Sequence, residues 1–229
     1  MTKPKIKVDV VSDVVCPWCY IGKRRIEKAM DALADRYDFE VEYHPFELNP
    51  GMPASGADQK QYLSDKFGGN DRYEKITAQT TAAAAGEGLN FDFAKQKISP
   101  NTREAHRIIQ FAKNEGKQPA VKEAFMKAYF EQGIDLSKKE NLVSVAVSAG
   151  LSKQAVETLL ATTEGLAQVE QREHELQKLG ISGVPFYIIN NKYGISGAQA
   201  SETFMQAFEN VGKEVAVSGE ACGVDSKNC

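Results

Sequence analysis

The tightest constraint on how this chain can fold is a strand-like segment that runs directly into a cysteine pair and then into a helix-like one. Residues 5–11 alternate, with Ile6, Val8 and Val10 on one face and Lys5, Lys7 and Asp9 on the other, which is the period of a strand. Ser12-Asp13-Val14-Val15 then leads to Cys16-Pro17-Trp18-Cys19. From residue 18 to about residue 36, Ile21, Ile26, Met30 and Leu33 recur near helical spacing among lysines and arginines. Residues 39–43 alternate again, so the first fifty residues read β-α-β. A parallel crossover of that kind is almost always right-handed.

After Pro45-Phe46-Glu47-Leu48-Asn49-Pro50 the texture changes. Residues 58–179 are rich in Ala, Glu, Lys and Gln and break into helix-length pieces at Gly68-Gly69, Gly86-Glu87-Gly88, Ser99-Pro100, Gly116, Gly133 and Gly150. The alanine-rich run 81–85 reads as helix. Strand texture returns at 186–190, and Asn190-Asn191 turns it into a second strand at 192–195. Ser201 caps a last helix carrying Phe204, Met205 and Phe208, and beyond Gly212 the chain turns small and polar. The expected architecture is α/β. One sheet domain is built from residues 1–56 and 181–213, a helical subdomain (57–180) is inserted between them, and 214–229 form a flexible tail.

Composition narrows the function. A chain of 229 residues with 42% apolar residues can bury a proper core, and its net charge of −3 comes without a basic stripe. Nucleic acid and anionic membrane are therefore not expected partners. No apolar run approaches the roughly 18 residues of a membrane span, and no apolar h-region follows Met1. A cytoplasmic location is the expectation. The four cysteines fall in two close pairs, Cys16/Cys19 and Cys222/Cys229, unlike a secreted disulfide scaffold.

Only a thiolate does redox work. At a strand-to-helix junction, Cys16 would face unpaired N–H groups and the positive end of the helix dipole, both of which favour that anion. Pro17 suits the first helical turn, where its missing N–H needs no partner. Cys19, one turn on, can attack a mixed disulfide on Cys16 and release the substrate. Cys16 thus reads as nucleophile and Cys19 as resolving thiol, with half of a zinc site as the rival reading of a lone C-x-x-C. Gly183-Val184-Pro185, ahead of a strand, is the second feature: a cis peptide there would lay backbone beside the thiols for an extended substrate to bond.

On Ser12-Asp13-Val14-Val15-Cys16-Pro17-Trp18-Cys19, Pro45-Phe46-Glu47-Leu48-Asn49-Pro50, Asn101-Thr102 with Ala105-His106-Arg107, and Gly183-Val184-Pro185-Phe186 followed by Ser196-Gly197-Ala198-Gln199, the chain resembles the DsbA-like branch of the thioredoxin superfamily. It is most similar to the cytoplasmic FrnE-like members. The resemblance implies a thioredoxin fold with a helical insertion, dithiol–disulfide exchange on protein thiols and disulfides, and a cis Pro185 facing Cys16. No bound cofactor is implied beyond the redox-active disulfide, and glutathione stands as an alternative thiol partner. Two departures blur the redox poise: Trp18 stands where periplasmic relatives carry histidine, and Val10 stands where they carry a buried glutamate. Asp13 could supply a nearby carboxylate, though a capping or structural role is the favoured reading.

Other residues divide between functional and structural readings. Trp18 reads as a substrate-contacting aromatic at the rim, with packing under the insertion as its alternative. His44, His106 and His174 read as satisfied core or surface histidines, a general-base role being conceivable for His106. Asn101 reads as a helix cap, and Phe111, Phe125, Tyr129 and Phe130 as core between helices. Cys222/Cys229 would form a second redox pair, against a four-thiolate metal site or an inert tail. At the level of function, dithiol exchange competes with a glutathione-dependent isomerase or transferase of the 2-hydroxychromene-2-carboxylate isomerase or kappa type. The non-enzyme alternative is a zinc-stabilised binding module or chaperone. No residue pattern sets an oligomeric state.

Overall fold

The alternating N-terminal segment does form a strand, β1 (Lys5–Ser12), and it becomes an interior strand of the sheet. The structure is a computed structural model that describes residues 3–221, with side chains described as far as residue 214. Strands β2 (Asp38–Pro45), β5 (Phe186–Ile189) and β6 (Tyr193–Ser196) complete the sheet in the order β2-β1-β5-β6. β1 pairs parallel with β2 and antiparallel with β5, which pairs antiparallel with β6. Val8 lies opposite Ile189 and Val10 opposite Tyr187, so the apolar face that alternation predicted is continuous across the register. Helices α1 (Pro17–Ala32) and α9 (Ser201–Ala221) cover that face and pack on each other. On the opposite face Val11, Leu176 and Ile181 form a smaller core with Phe186 and Ile188.

The β5–β6 turn uses Asn190 and Asn191 at φ 50° and 55°, left-handed values that asparagine tolerates best among residues with a Cβ. Lys192 N–H closes it on the Ile189 carbonyl at 3.0 Å.

The stretch between β2 and β5 is helical, from α2 (Gln59–Phe67) and α3 (Asn70–Gly86) through α4 (Arg103–Asn114), α5 (Gln118–Phe130), α6 (Lys139–Ser148), α7 (Lys153–Ala161) and α8 (Leu166–Lys178). Sequence periodicity missed a two-residue ribbon, β3 (Ala57–Asp58) with β4 (Ile98–Ser99), which ties the start of this stretch to its middle. Nor did it show how edge strand β2 is protected. The Gln118 side chain accepts from Tyr43 N–H at 2.8 Å and donates to Tyr43 carbonyl at 2.9 Å, and Gln110 donates to the same carbonyl. Two glutamines on α4 and α5 thus occupy backbone groups that an exposed edge would offer to another chain.

One expectation is corrected. The last helix does not fade into a tail at Gly212 or residue 214 but runs to Ala221. Gly212 is a packing glycine: a Cβ there would collide with the Tyr37 ring. The next turn is held by Glu214, which pairs with Lys192 at 2.8 Å and also accepts from Tyr193 Oη. Cys222 and Cys229 lie outside the described residues. Among those described, no helix is long and apolar enough to cross a membrane.

Candidate active site

β1 ends at Ser12, and three residues turn the chain into α1 with Cys16 as the N-cap, φ −90° and ψ 112°. Pro17 begins the helix, and the Cys16 carbonyl accepts from Cys19 N–H at 3.1 Å. The two thiols are therefore one helical turn apart, both free and nearly closed off, at 4% and 2% exposure. The Val184–Pro185 peptide is cis, and Cys16 donates to the Val184 carbonyl with S···O 3.7 Å. The Pro185 carbonyl is occupied by Gly197 N–H, which anchors this ledge to the end of β6. The cis Val184–Pro185 segment and the Cys16-Pro17 junction thus lie together.

Asp13 is fully buried behind the thiols. Its carboxylate accepts from Val14 N–H (2.7 Å) and Leu48 N–H (2.8 Å), and His106 Nε2 lies 3.2 Å away. Burial alone would raise this carboxyl, but the bond to His106, attraction to His106, the Leu48 amide and Lys122 outweigh it and hold it below the usual range. Asp13 is a structural keystone joining the turn before Cys16, the loop after β2 and helix α4. His106 is a core residue rather than a surface one, its Nε2 also 3.2 Å from the Phe46 carbonyl. Asn101 behaves as a cap in part: its Oδ1 accepts from Arg103 N–H at 3.0 Å, while Thr102 is the N-cap residue and Asn101 Nδ2 ties down the Met52 carbonyl. Phe125, Tyr129 and Phe130 are core, with Phe111 packed at its edge.

Trp18 is half-buried. It packs against the core, and it lines a cavity of about 350 Å³ between the cysteine motif and the inserted helices. Leu48, Met52, Phe67, Phe93 and Phe130 are among its apolar walls, and Cys16 and Val184 also line it.

Sequence reasoning missed Lys122. This α5 residue is 1% exposed, and its Nζ donates to the Ser12 carbonyl at 3.2 Å, immediately before Asp13. The signal was present: Lys122 stands three and four residues before Phe125 and Met126, inside an apolar helical stripe where a lysine is out of place.

A patch of acid groups borders Asp13. Glu47, held by Arg103 at 3.0 Å, donates its backbone N–H to Glu173 at 2.7 Å. Burial and the Glu47 carboxylate push half-buried Glu173 up to about 7. A carboxyl raised above its unfolded value costs stability once pH passes that value, and the cost is complete above the folded one. Glu173→Gln keeps the acceptor oxygen and is expected to stabilise the protein by about 1–2 kcal/mol above pH 7, after allowing for solvent screening, and by little below pH 5. Thermal unfolding of both proteins across that range checks it; an equal difference at both ends would refute it.

On the far sheet face Asp9, Glu42 and His44 have metal-like spacing, but the groups seated on them are cationic. Lys7 lies 3.1 Å from Asp9, Lys113 2.6 Å from Glu42, and Arg172 donates to His44 Nδ1 at 3.1 Å. His174 is exposed on α8.

Comparison with known proteins agrees with this geometry. Residues 7–209 match the DSBA-like thioredoxin domain family. An uncharacterised Bacillus subtilis protein, YwbO, is 27% identical over 212 residues, covering 91% of this chain and 98% of its own. A probable DsbA oxidoreductase from Streptomyces coelicolor has a solved structure with TM-score 0.83 and 32% identity, over 98% of this chain and 93% of that one. The cytosolic disulfide reductase DsbM of Pseudomonas aeruginosa, solved with glutathione, shares the fold at TM-score 0.63 and 14% identity, over 89% and 98% of the two chains. A chain with this sheet order, this cysteine junction and these relatives belongs to the family of DSBA-like thioredoxin domains, and its fold is that of DsbA-like thiol oxidoreductases.

Proposed function

We propose that this protein is a cytoplasmic dithiol–disulfide oxidoreductase of protein thiols and disulfides, within the FrnE-like group. The observation that carries the reading is the junction itself: an N-cap thiol facing the Val184 carbonyl, with a second thiol one turn behind it. Cys16 attacks a substrate disulfide, and the leaving thiolate departs. The mixed disulfide is held with the substrate backbone extended along Val184, and Cys19 then attacks Cys16 sulfur to release the second substrate thiolate. Run backwards, the same steps oxidise a substrate dithiol, and alternation of the two directions isomerises a wrong pairing.

A second reading concerns substrate size. The chamber beside Cys16 is roofed by inserted helices, and about 350 Å³ accommodates a small thiol or one bulky side chain. Low-molecular-weight disulfides such as glutathione disulfide are therefore the rival substrate, in keeping with the glutathione bound to the structurally similar DsbM. An isomerase of the 2-hydroxychromene-2-carboxylate type, another structural neighbour at 15% identity, would have no use for Cys19. Turnover of insulin disulfides and of glutathione disulfide, each with a thiol reductant, tests these readings. Acceleration of insulin reduction at least about tenfold over the reductant alone supports the protein-directed reading. Acceleration of glutathione disulfide alone supports the small-substrate one, and acceleration of neither ends the proposal.

A further inference from the structure

The resolving thiol poses a proton problem. Burial pushes the Cys19 thiol well above the ordinary cysteine range, and neighbouring Cys16 pushes it further. Yet only the thiolate attacks a disulfide. Expelling a proton through an apolar core leaves an uncompensated buried charge, whereas an internal acceptor keeps the net charge of the region constant.

Few neighbouring groups qualify. Tyr187 on β5 is itself a weak acid driven upward by burial. Asp13 has both carboxylate oxygens engaged and is held low, which makes it a poor base. His106 on α4 spends Nε2 on Asp13 and the Phe46 carbonyl. Lys23 on α1 is tied to Glu27 at 2.5 Å and Glu123 at 2.7 Å. Glu123, beside Lys122 in sequence, is engaged with Tyr20, Arg24 and Lys23.

Lys122 remains. Among the described residues its amine makes one hydrogen bond, to the Ser12 carbonyl, and no ion pair. Ser12 ends the strand that turns into Cys16 and Cys19, so this buried amine sits at the base of the thiol turn, and of the neighbouring charges a Cys19 thiolate acts on it most strongly. In this protein Val10 fills the β1 position six residues before Cys16, and it is core.

We propose that Lys122 is the proton acceptor of the resolving thiol, taking the Cys19 proton during disulfide closure and returning it during disulfide opening. The inference rests on the dithiol reading of Cys16 and Cys19. In closure the Cys19 S–H bond breaks and its proton goes to neutral Lys122 Nζ. Cys19 sulfur bonds to Cys16 sulfur, the bond from Cys16 to the substrate sulfur breaks, and the substrate leaves with the electron pair as a thiolate. The pair Cys16/Cys19 is oxidised, the substrate sulfur is reduced, and total charge is unchanged. Burial draws the Lys122 amine down to about 8, while negative charge on Cys19, Asp13 and Cys16 raises it and Lys23 lowers it. A base in that range suits proton transfer near neutral pH.

The test uses full-length protein carrying Cys222→Ser and Cys229→Ser, so that only one cysteine pair reports. Reduced protein is mixed with dithiobis-nitrobenzoate, and release of the coloured thiolate is followed by stopped flow across pH. The first release reads attack by Cys16, and the second reads closure by Cys19. Lys122→Met is expected to slow the second release roughly 100-fold near neutral pH while changing the first by no more than about threefold. Its rate should then climb in proportion to hydroxide. Lys122→Arg should be as slow as the methionine variant, because guanidinium does not give up its proton. The proposal is overturned if the second release in Lys122→Met stays within about threefold of the parent, if both releases slow equally, or if arginine restores the parent rate. A parent that gives only one release overturns the dithiol reading and this inference together.

Discussion

Cys16→Ser is expected to abolish disulfide exchange, with a loss of at least about 10³-fold in turnover, because a serine hydroxyl does not ionise near neutral pH. Cys19→Ser separates the two half-reactions. Cys16 keeps its place at the N-cap and its carbonyl neighbour, so it still attacks, but nothing releases the adduct. Mass spectrometry after incubation with a disulfide substrate should find a stable adduct on Cys16 in Cys19→Ser and none in Cys16→Ser. An adduct on Cys19 in the Cys16→Ser variant would reverse the assigned roles. Cys19 is the more enclosed of the two residues, and burial pushes its thiol well above the ordinary cysteine range, so that outcome runs against the geometry.

The largest expected effect on stability comes from Asp13→Ala. The change strips partners from Leu48 N–H, Val14 N–H and buried His106 at once, and the bonds to Leu48 and His106 link separate parts of the fold. Breaking a buried hydrogen-bonded pair of this kind costs about 3–5 kcal/mol. For a domain this size that is a fall in melting temperature of about 10 °C. The pH dependence follows from the depressed carboxyl. Its stabilising contribution is fully present above the unfolded value of 3.8 and is lost as pH falls through the lower folded value. Wild type and Asp13→Ala should therefore differ most near neutrality and converge in acid. Calorimetry that finds a constant gap from pH 7 down to pH 3 would show that the carboxylate charge is not what Asp13 contributes.

Asp13 also marks where legibility in the sequence stops. Its neighbourhood to Cys16 is plain from the motif, and a structural role was the favoured reading. Its partners were not plain, since Leu48 and His106 lie 35 and 93 residues away along the chain. His106 follows the same pattern: it belongs to a stripe with Ala105, Ile109 and Ala112, which marks it as buried without saying what it meets. Gly212 misled in the opposite direction. A glycine followed by small residues reads as a helix end, but here its missing Cβ makes room for Tyr37 from across the fold. Close approach and chain termination call for the same residue, and local pattern does not distinguish them.

The sequence by itself determined the β-α-β start, the helical stretch and the β-β-α end, because periods of two and 3.6 residues are local and each period buries a face. It determined the cysteine junction for the same reason: a helix needs an N-cap, and Cys16 followed by Pro17 sits where one must fall. Tertiary structure alone decided what surrounds that junction. Lys122 reaches the Ser12 carbonyl from 110 residues away, Val184 reaches Cys16 from 168, and the chamber at Trp18 exists only because the inserted helices fold back over the motif. These contacts depend on how whole elements dock, and docking is set by the summed fit of many buried faces rather than by any local spacing.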